Sequence, residues 1–198
     1  MNPIDERLDL FSPTPAPKID SPKQLTLEVI SAIHACHLNS LWHSRLPKIH
    51  WSNVVRNTAY ICFGAKFDGF YVATGIWSSP VAQNRMTNGE RILELRRLAI
   101  SEPCPKNTAT WMISKMVKVI TKDLIAIDRL ISYQDTEVHR GTIYKAANWI
   151  PVVTSKGTSW TNDTRKRNTE QSIADKVRWE YYIPRKNTAV LEADKETP

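Results

Sequence analysis

Three kinds of side chain in this sequence have types and spacings suited to proton chemistry. Asp135 and His139 stand four apart in the run ISYQDTEVHRGTIYKAANWI, residues 131–150. Around a turn, that spacing can bring a carboxylate and an imidazole together. The pair can then orient a proton acceptor or, with His43, bind a metal. His43 has an unperturbed pKa of about 6.5 and can act as a base at neutral pH. Tyr144 is a phenol set near the start of a short helix just after a strand. Each has a plainer reading. Asp135 can cap the following turn or helix, and His139 can be a solvated loop residue. A tyrosine in a two-turn helix is commonly an amphipathic core residue with its hydroxyl at the surface.

The elements that must position these groups are legible in outline. Ile131, Ser132 and Tyr133 suit a strand, which Asp135, Thr136, His139 and Gly141 break. Thr142 to Asn148 can form two helical turns, with Ile143 and Ala147 on one face, and Asn148 can stop them. Upstream, residues 1–22 are proline-rich, with Pro13, Pro15 and Pro17 alternating, and predict an extended tail. A helix is expected from Ser21 or Pro22 to about Asn39, with Leu27, Ile30 and His34 on one stripe. Residues 60–65 and 71–77 read as strands, and Asp68-Gly69 between them is a hairpin signal. Residues 91–100, RILELRRLAI, permit a strand. Neighbours on a strand point to opposite faces, so only one of Arg96 and Arg97 is expected to face a cleft. Residues 108–124 read as a long helix that Asn107 or Thr108 can cap. Residues 176–183 read as a final strand. This order predicts one α+β domain over residues 23–183, between tails at 1–22 and 184–198. Its sheet is expected to be mostly antiparallel, with one helical crossover joining a parallel pair.

Composition narrows the function classes. The chain has 198 residues, 41% of them hydrophobic, and a net charge of +7. A basic balance favours anionic partners: nucleic acid, phosphorylated cofactors or membrane surface. No apolar run approaches the length of a membrane span, and the first residues lack an apolar secretory core. Cys36, Cys62 and Cys104 are an odd set without CxxC spacing, which argues against a disulfide framework or zinc ribbon. Three reduced thiols in a cytoplasmic protein are expected, with Cys62 in the core.

The Tyr144 segment resembles the LYEKxGF segment of the GNAT acyltransferases, where a tyrosine protonates the departing coenzyme A thiolate. The loop SEPCPKNTAT, residues 101–110, stands where those enzymes carry a glycine-rich pyrophosphate loop. It contains no glycine, but Lys106, Asn107 and Thr108 can supply polar groups at a helix N-terminus. More specifically, LWHSRLP, WSSPVAQNR, LELRRLAI, PKNTAT, ISYQDTEVHRGTIYKAANW and KVRWE together resemble the phage Mom-like family over residues 39–180. These are GNAT-like DNA-modification proteins. The resemblance implies transfer from an acyl-coenzyme A, such as acetyl-CoA, to adenine in DNA, giving a carbamoylmethyl-type base that blocks restriction. It implies Tyr144 as general acid, with Asp135 and His43 in the same cleft as base or metal ligands, and iron as a conceivable metal. It also implies Arg97 near the cofactor or the acidic substrate, with Leu98 and Ile100 beside the cofactor. Trp42-His43-Ser44 stands where a His-Tyr pair is common in the family.

Basic residues between aromatics suit phosphate contacts and base stacking. Lys156, Arg165, Lys166, Arg167, Lys176 and Arg178 surround Trp160 and Trp179 in sequence. Arg45 and Ser78 join Arg165 and Arg167 as expected DNA contacts. Trp42, Trp51 and Trp77 are candidates to hold a flipped base. Two other readings stand beside base modification: an N-acetyltransferase of a small-molecule or protein amine, and a non-catalytic DNA-binding relative. Monomer and homodimer are both open.

Overall fold

The hairpin at Asp68-Gly69 forms as its sequence demands. Both residues have positive φ, 47° and 82°, so a two-residue turn matches the twist of the strands it joins. The computed structural model describes residues 18–43, 46–82, 84–86, 88–124, 126–157 and 174–184. The turn links β2 (Tyr60–Phe67) to β3 (Phe70–Ser78). Around them lie β1 (Thr26–Val29), β4 (Ile92–Ile100), β5 (Arg129–Asp135), β6 (Ile150–Ser155) and β7 (Lys176–Tyr182). The helices are α1 (Ala32–Trp42), α2 (Ser52–Val55), α3 (Thr108–Asp123) and α4 (Thr142–Lys145).

The seven strands among the described residues form one sheet in the order β1-β2-β3-β4-β5-β7-β6. Every pairing is antiparallel except β4 with β5. The α3 crossover makes that parallel pair. Its ladder runs from Ile92↔Arg129 to Leu95↔Ser132 and stops there. Both strands continue, β4 to Ile100 and β5 to Asp135, so they part at Leu95 and Ser132. This is the α+β architecture expected from the sequence, with the final strand inserted between β5 and β6.

The main core lies on the α3 face. Met112, Ile113, Met116, Val117 and Ile120 make the buried stripe of α3 and meet Phe63, Trp77, Leu93, Leu95 and Leu130 of the sheet. Burying each of the larger side chains stabilises the fold by about 1.5–3 kcal/mol. A smaller cluster on the opposite face joins α1 to the sheet through Ala35, Cys36, Val54, Cys62 and Ile76.

The first helix is shorter than its sequence pattern suggested. Ser21 and Gln24 close a capping box on a single 3-10 turn at Pro22–Gln24, and residues 26–29 then pair with β2 as an edge strand. Backbone pairing to Phe63–Lys66 overrode the helical spacing. The α1 helix starts only after Ser31, whose hydroxyl accepts the His34 N–H. Ala32, Ala35, Cys36 and Asn39 form its buried stripe, while Ile33 is exposed.

Candidate functional site

Tyr144 reaches the point where β4 and β5 part. Its hydroxyl lies 2.8 Å from Ser132 Oγ, and Ser132 Oγ in turn donates to the Leu95 carbonyl. The ring stacks on Trp179 at 5.4 Å and faces Trp149 at 5.8 Å. Burial pushes its phenol pKa up, only partly offset by Ser132. A phenol held protonated can donate but does not ionise at neutral pH.

The α4 helix that carries Tyr144 is pinned by its entry. Gly141, its N-cap, has φ 71° and packs directly against Trp179 and the Gln134 amide. Gln134 accepts from Trp179 Nε1 at 2.7 Å, and its own amide donates to the His139 carbonyl. The segment between β5 and α4 is therefore stapled to β7 through one glutamine side chain.

The opposite face of the parting is charged. A bulge between Ile76 and Trp77 pairs Ile76 with Arg97 and Trp77 with Leu95, leaving Arg96 as the extra residue. Such a bulge re-aims a side chain. Arg97 lies on the α1 face, and Arg96 Nη1 donates to Ser78 Oγ on that same face. The alternation rule expected only one of the two arginines there, and the bulge brings both. Arg97 Nη1 donates to the Arg96 carbonyl and Nη2 to the Pro47 carbonyl.

His43 is the C-cap of α1, and its Nδ1 accepts the Leu46 N–H. Burial pulls its pKa below the ordinary histidine value, and Arg97 and then His139 lower it further. His43 is thus held neutral, as a base requires. Glu94, which sequence reasoning treated only as part of a strand pattern, is buried beside these groups. Its Oε2 accepts the Val81 N–H at 3.1 Å. Burial raises its carboxyl pKa despite that bond and despite Arg96, Arg97 and Arg85 nearby. The missed signal was a lone acid in ELRR, which no spacing rule distinguishes from a surface residue.

Several expectations need correction. Ser78, expected at the DNA surface, is fully buried, because β3 runs through the middle of the sheet; it holds Arg96 instead. Trp77 and Trp179, considered for stacking, are core residues, and Trp77 Nε1 donates to Met116 Sδ. Thr108 is buried and its hydroxyl donates to the Pro105 carbonyl, so it shapes the loop rather than facing a ligand. Asp135 pairs with Lys176 at 2.5 Å and its Oδ1 accepts the Glu137 N–H, which is the turn-capping reading. Among the described residues, no group of three His, Cys, Asp or Glu side chains can hold a metal ion. The donors among the described residues do not fit the iron that the resemblance made conceivable.

Other expected residues stand in usable places. Leu98 and Ile100 lie on β4 beyond the parting, half-buried against the main core. Lys106 is exposed, and Asn107 caps α3 in the left-handed conformation (φ 70°) with no side-chain hydrogen bond. Asn tolerates that conformation, so the loop turns without glycine. Trp42 is half-buried at the end of α1 and Trp51 is exposed. Arg45, Arg165, Arg167, Lys166 and Trp160 lie outside the described residues. Burial raises the pKa of all three thiols, Cys62 to about 12. Two surface grooves, of about 570 and 510 Å³, are lined by neither Tyr144 nor His43.

The architecture is that of known N-acetyltransferases. Spermidine N-acetyltransferase from Vibrio cholerae, solved with CoA and spermine, superposes with TM-score 0.58 at 12% identity, covering 81% of this chain and 96% of that one. IAA acetyltransferase from Bacillus cereus gives 0.54 at 12% identity, covering 80% and 99%. At such identity the likeness is one of fold. No curated protein matches the sequence. The Mom protein family does match, over residues 43–195, which takes in His43, Arg97, Asn107, Asp135 and Tyr144; the chain belongs to that family.

Proposed function

We propose that this protein is an acyl-coenzyme A-dependent transferase that modifies adenine bases in DNA. The observation that carries the reading is the Tyr144 hydroxyl beside the last paired residues of β4 and β5, with His43 and the arginines on the other side. In N-acetyltransferase folds the cofactor enters where that parallel pair opens. Here Leu98 and Ile100 would flank the pantetheine arm, and Lys106, Asn107 and the α3 N-terminus would meet the pyrophosphate. The exocyclic adenine nitrogen attacks the acyl carbon, forming an N–C bond as the C–S bond breaks. His43 takes the amine proton, and Tyr144 donates its proton to the departing thiolate sulfur. Asp135, paired with Lys176, positions the end of β5 rather than taking the proton.

DNA as acceptor is supported by family membership, the charge of +7, and exposed His139, Arg140 and Lys145 around the entry to α4. The test is mass spectrometry of nucleosides from plasmid DNA of expressing cells. An adenosine adduct is expected with the native chain. A general acid contributes roughly 10²–10⁴-fold, so Tyr144→Phe should reduce the adduct to near the detection limit. Unmodified DNA from well-expressed native protein would reject base modification. Acetylation of a polyamine or peptide amine in its place would establish the small-amine reading.

A further inference from the structure

Three buried N–H donors among the described residues lack partners on the α1 side of the parting: Asn39 Nδ2, Arg85 Nε and Arg97 Nε. Asn39 is only 2% exposed. An unpaired buried donor costs about 1–3 kcal/mol, so three on one face leave donors that a bound anion would complete. Asn39 and Arg97 lie on one face: Cys36, on the buried stripe of α1 with Asn39, packs with Ile76, which is in register with Arg97. Asn39 lies between Cys36 and His43 on α1, and Arg97 is close enough to both to lower their proton affinity. Arg85, Arg96 and Arg97 all act on Glu94.

Charge points the same way. Three guanidiniums face one carboxylate, and one oxygen of that carboxylate is already engaged by Val81 N–H. Two positive charges are left over, with His43 held neutral beside them. The fixed forks of arginine suit tetrahedral oxyanions. This face of β4 is the one opposite Tyr144. A nucleotide carries its phosphates within a few bonds of the sugar, so an anion bound here would bring an attached base to the parting.

We propose that Asn39, Arg85, Arg96 and Arg97 form a subsite for a backbone phosphate next to the target nucleotide. The inference rests on the reading of DNA as acceptor and adds how the nucleotide is held: by its phosphate, between α1 and the β4 bulge, leaving its base free to reach the acyl carbon. A free nucleoside, lacking the phosphate, would be a poor acceptor.

The test is fluorescence anisotropy with a short single-stranded oligonucleotide containing one adenine, which avoids the cost of opening a duplex. Each phosphate flanking the adenine is replaced in turn by a neutral methylphosphonate. Neutralising one of the two linkages is expected to weaken binding about tenfold, the scale of one charge-assisted hydrogen bond. In Asn39→Asp and Arg85→Gln the charged oligonucleotide should bind more weakly. Neutralisation should then cost them less than about threefold, because phosphate and side chain act as one unit. Arg85→Gln, in the β3–β4 connection, keeps the test open should Asn39→Asp fail to fold. Tight binding with no sensitivity to either linkage would overturn the subsite and leave the DNA reading standing. No binding at low salt would overturn both.

Discussion

Two buried carboxylates sit on one row of the sheet, Glu94 and Glu180, each in register with Ile131 between them. Their surroundings differ sharply. Glu180 is saturated: Arg129 Nη1 donates at 2.9 Å, Arg178 Nε at 2.7 Å and the Tyr182 hydroxyl at 2.7 Å. Burial alone would raise its pKa, yet Tyr182, Arg129 and Arg178 outweigh burial and hold it below the ordinary carboxylate value. Glu94 has one backbone N–H as donor, with the charges of Arg96, Arg97 and Arg85 nearby, and burial wins: its pKa is raised. A carboxylate whose partners are complete ties strands together. One held by a single backbone donor leaves most of its arginines' charge uncompensated.

Removing each acid in turn should break this contrast or confirm it. The largest effect is expected for Glu180→Gln. It strands Arg129 and Arg178, and removal of one partner from a buried ionic cluster typically costs 3–5 kcal/mol, so a loss of about that size should appear in chemical denaturation. Loss under about 1 kcal/mol would place Glu180 in the same class as Glu94. The pH dependence has a definite sign. The folded Glu180 pKa lies below its unfolded value of about 4.5, so its stabilisation is full above that pH and disappears as pH falls through the folded value. The denaturation difference between native chain and Glu180→Gln should therefore shrink in acid below about pH 4.5.

Gly141→Ala should come next. A left-handed non-glycine residue costs about 1–3 kcal/mol, and the added Cβ would meet Trp179, the β7 neighbour of Glu180. Stability measured by thermal melting should fall, and adduct formation should fall further because α4 carries Tyr144. An unchanged adduct yield would mean that the Tyr144 position tolerates movement of its helix.

Glu94→Gln should be the mildest for stability. The charged form of Glu94 is already disfavoured by burial, so the neutral amide should change folding by less than about 1 kcal/mol. A loss like that of Glu180→Gln would make Glu94 a structural acid and remove the contrast. A finer measurement is the pH profile of adduct formation. The acid limb should lie below about pH 6.5, because burial and then Arg97 lower the His43 pKa. In Arg97→Gln the limb should move upward; an unmoved limb would show that another group takes the proton.

Across the parting, the two candidate groups are pushed in opposite directions. Tyr144 lies in an aromatic wall with Trp149 and Trp179 and is kept protonated. His43 lies beside a guanidinium and is kept neutral. Separating an acid from a base in this way is how one fold carries both at neutral pH. One strand, β4, divides the two environments.

Much of this was legible in the residues. The Asp68-Gly69 turn, the α3 stripe and the strand before Tyr144 follow from local chemistry: positive φ, helical spacing and strand-favouring residues such as Ile131 and Tyr133. The likeness of residues 39–180 to the Mom family was also visible in short strings such as ISYQD and LRRLAI. The early helix misled, because the pairing that makes residues 26–29 a strand comes from residues 63–66.

What the sequence by itself determined, then, was the set of local elements and the candidate groups, since each depends on residues a few positions apart. Which groups meet was decided only in three dimensions. Arg97 reaches Pro47, 50 positions away in the chain, and Tyr144 finds Ser132 across a loop. A single bulge puts Arg96 and Arg97 on one face, and Asp135 is taken up by Lys176 from the last strand. The physical reason is that burial, charge compensation and unpaired donors are properties of a packed environment, and no residue carries its environment in its own spacing.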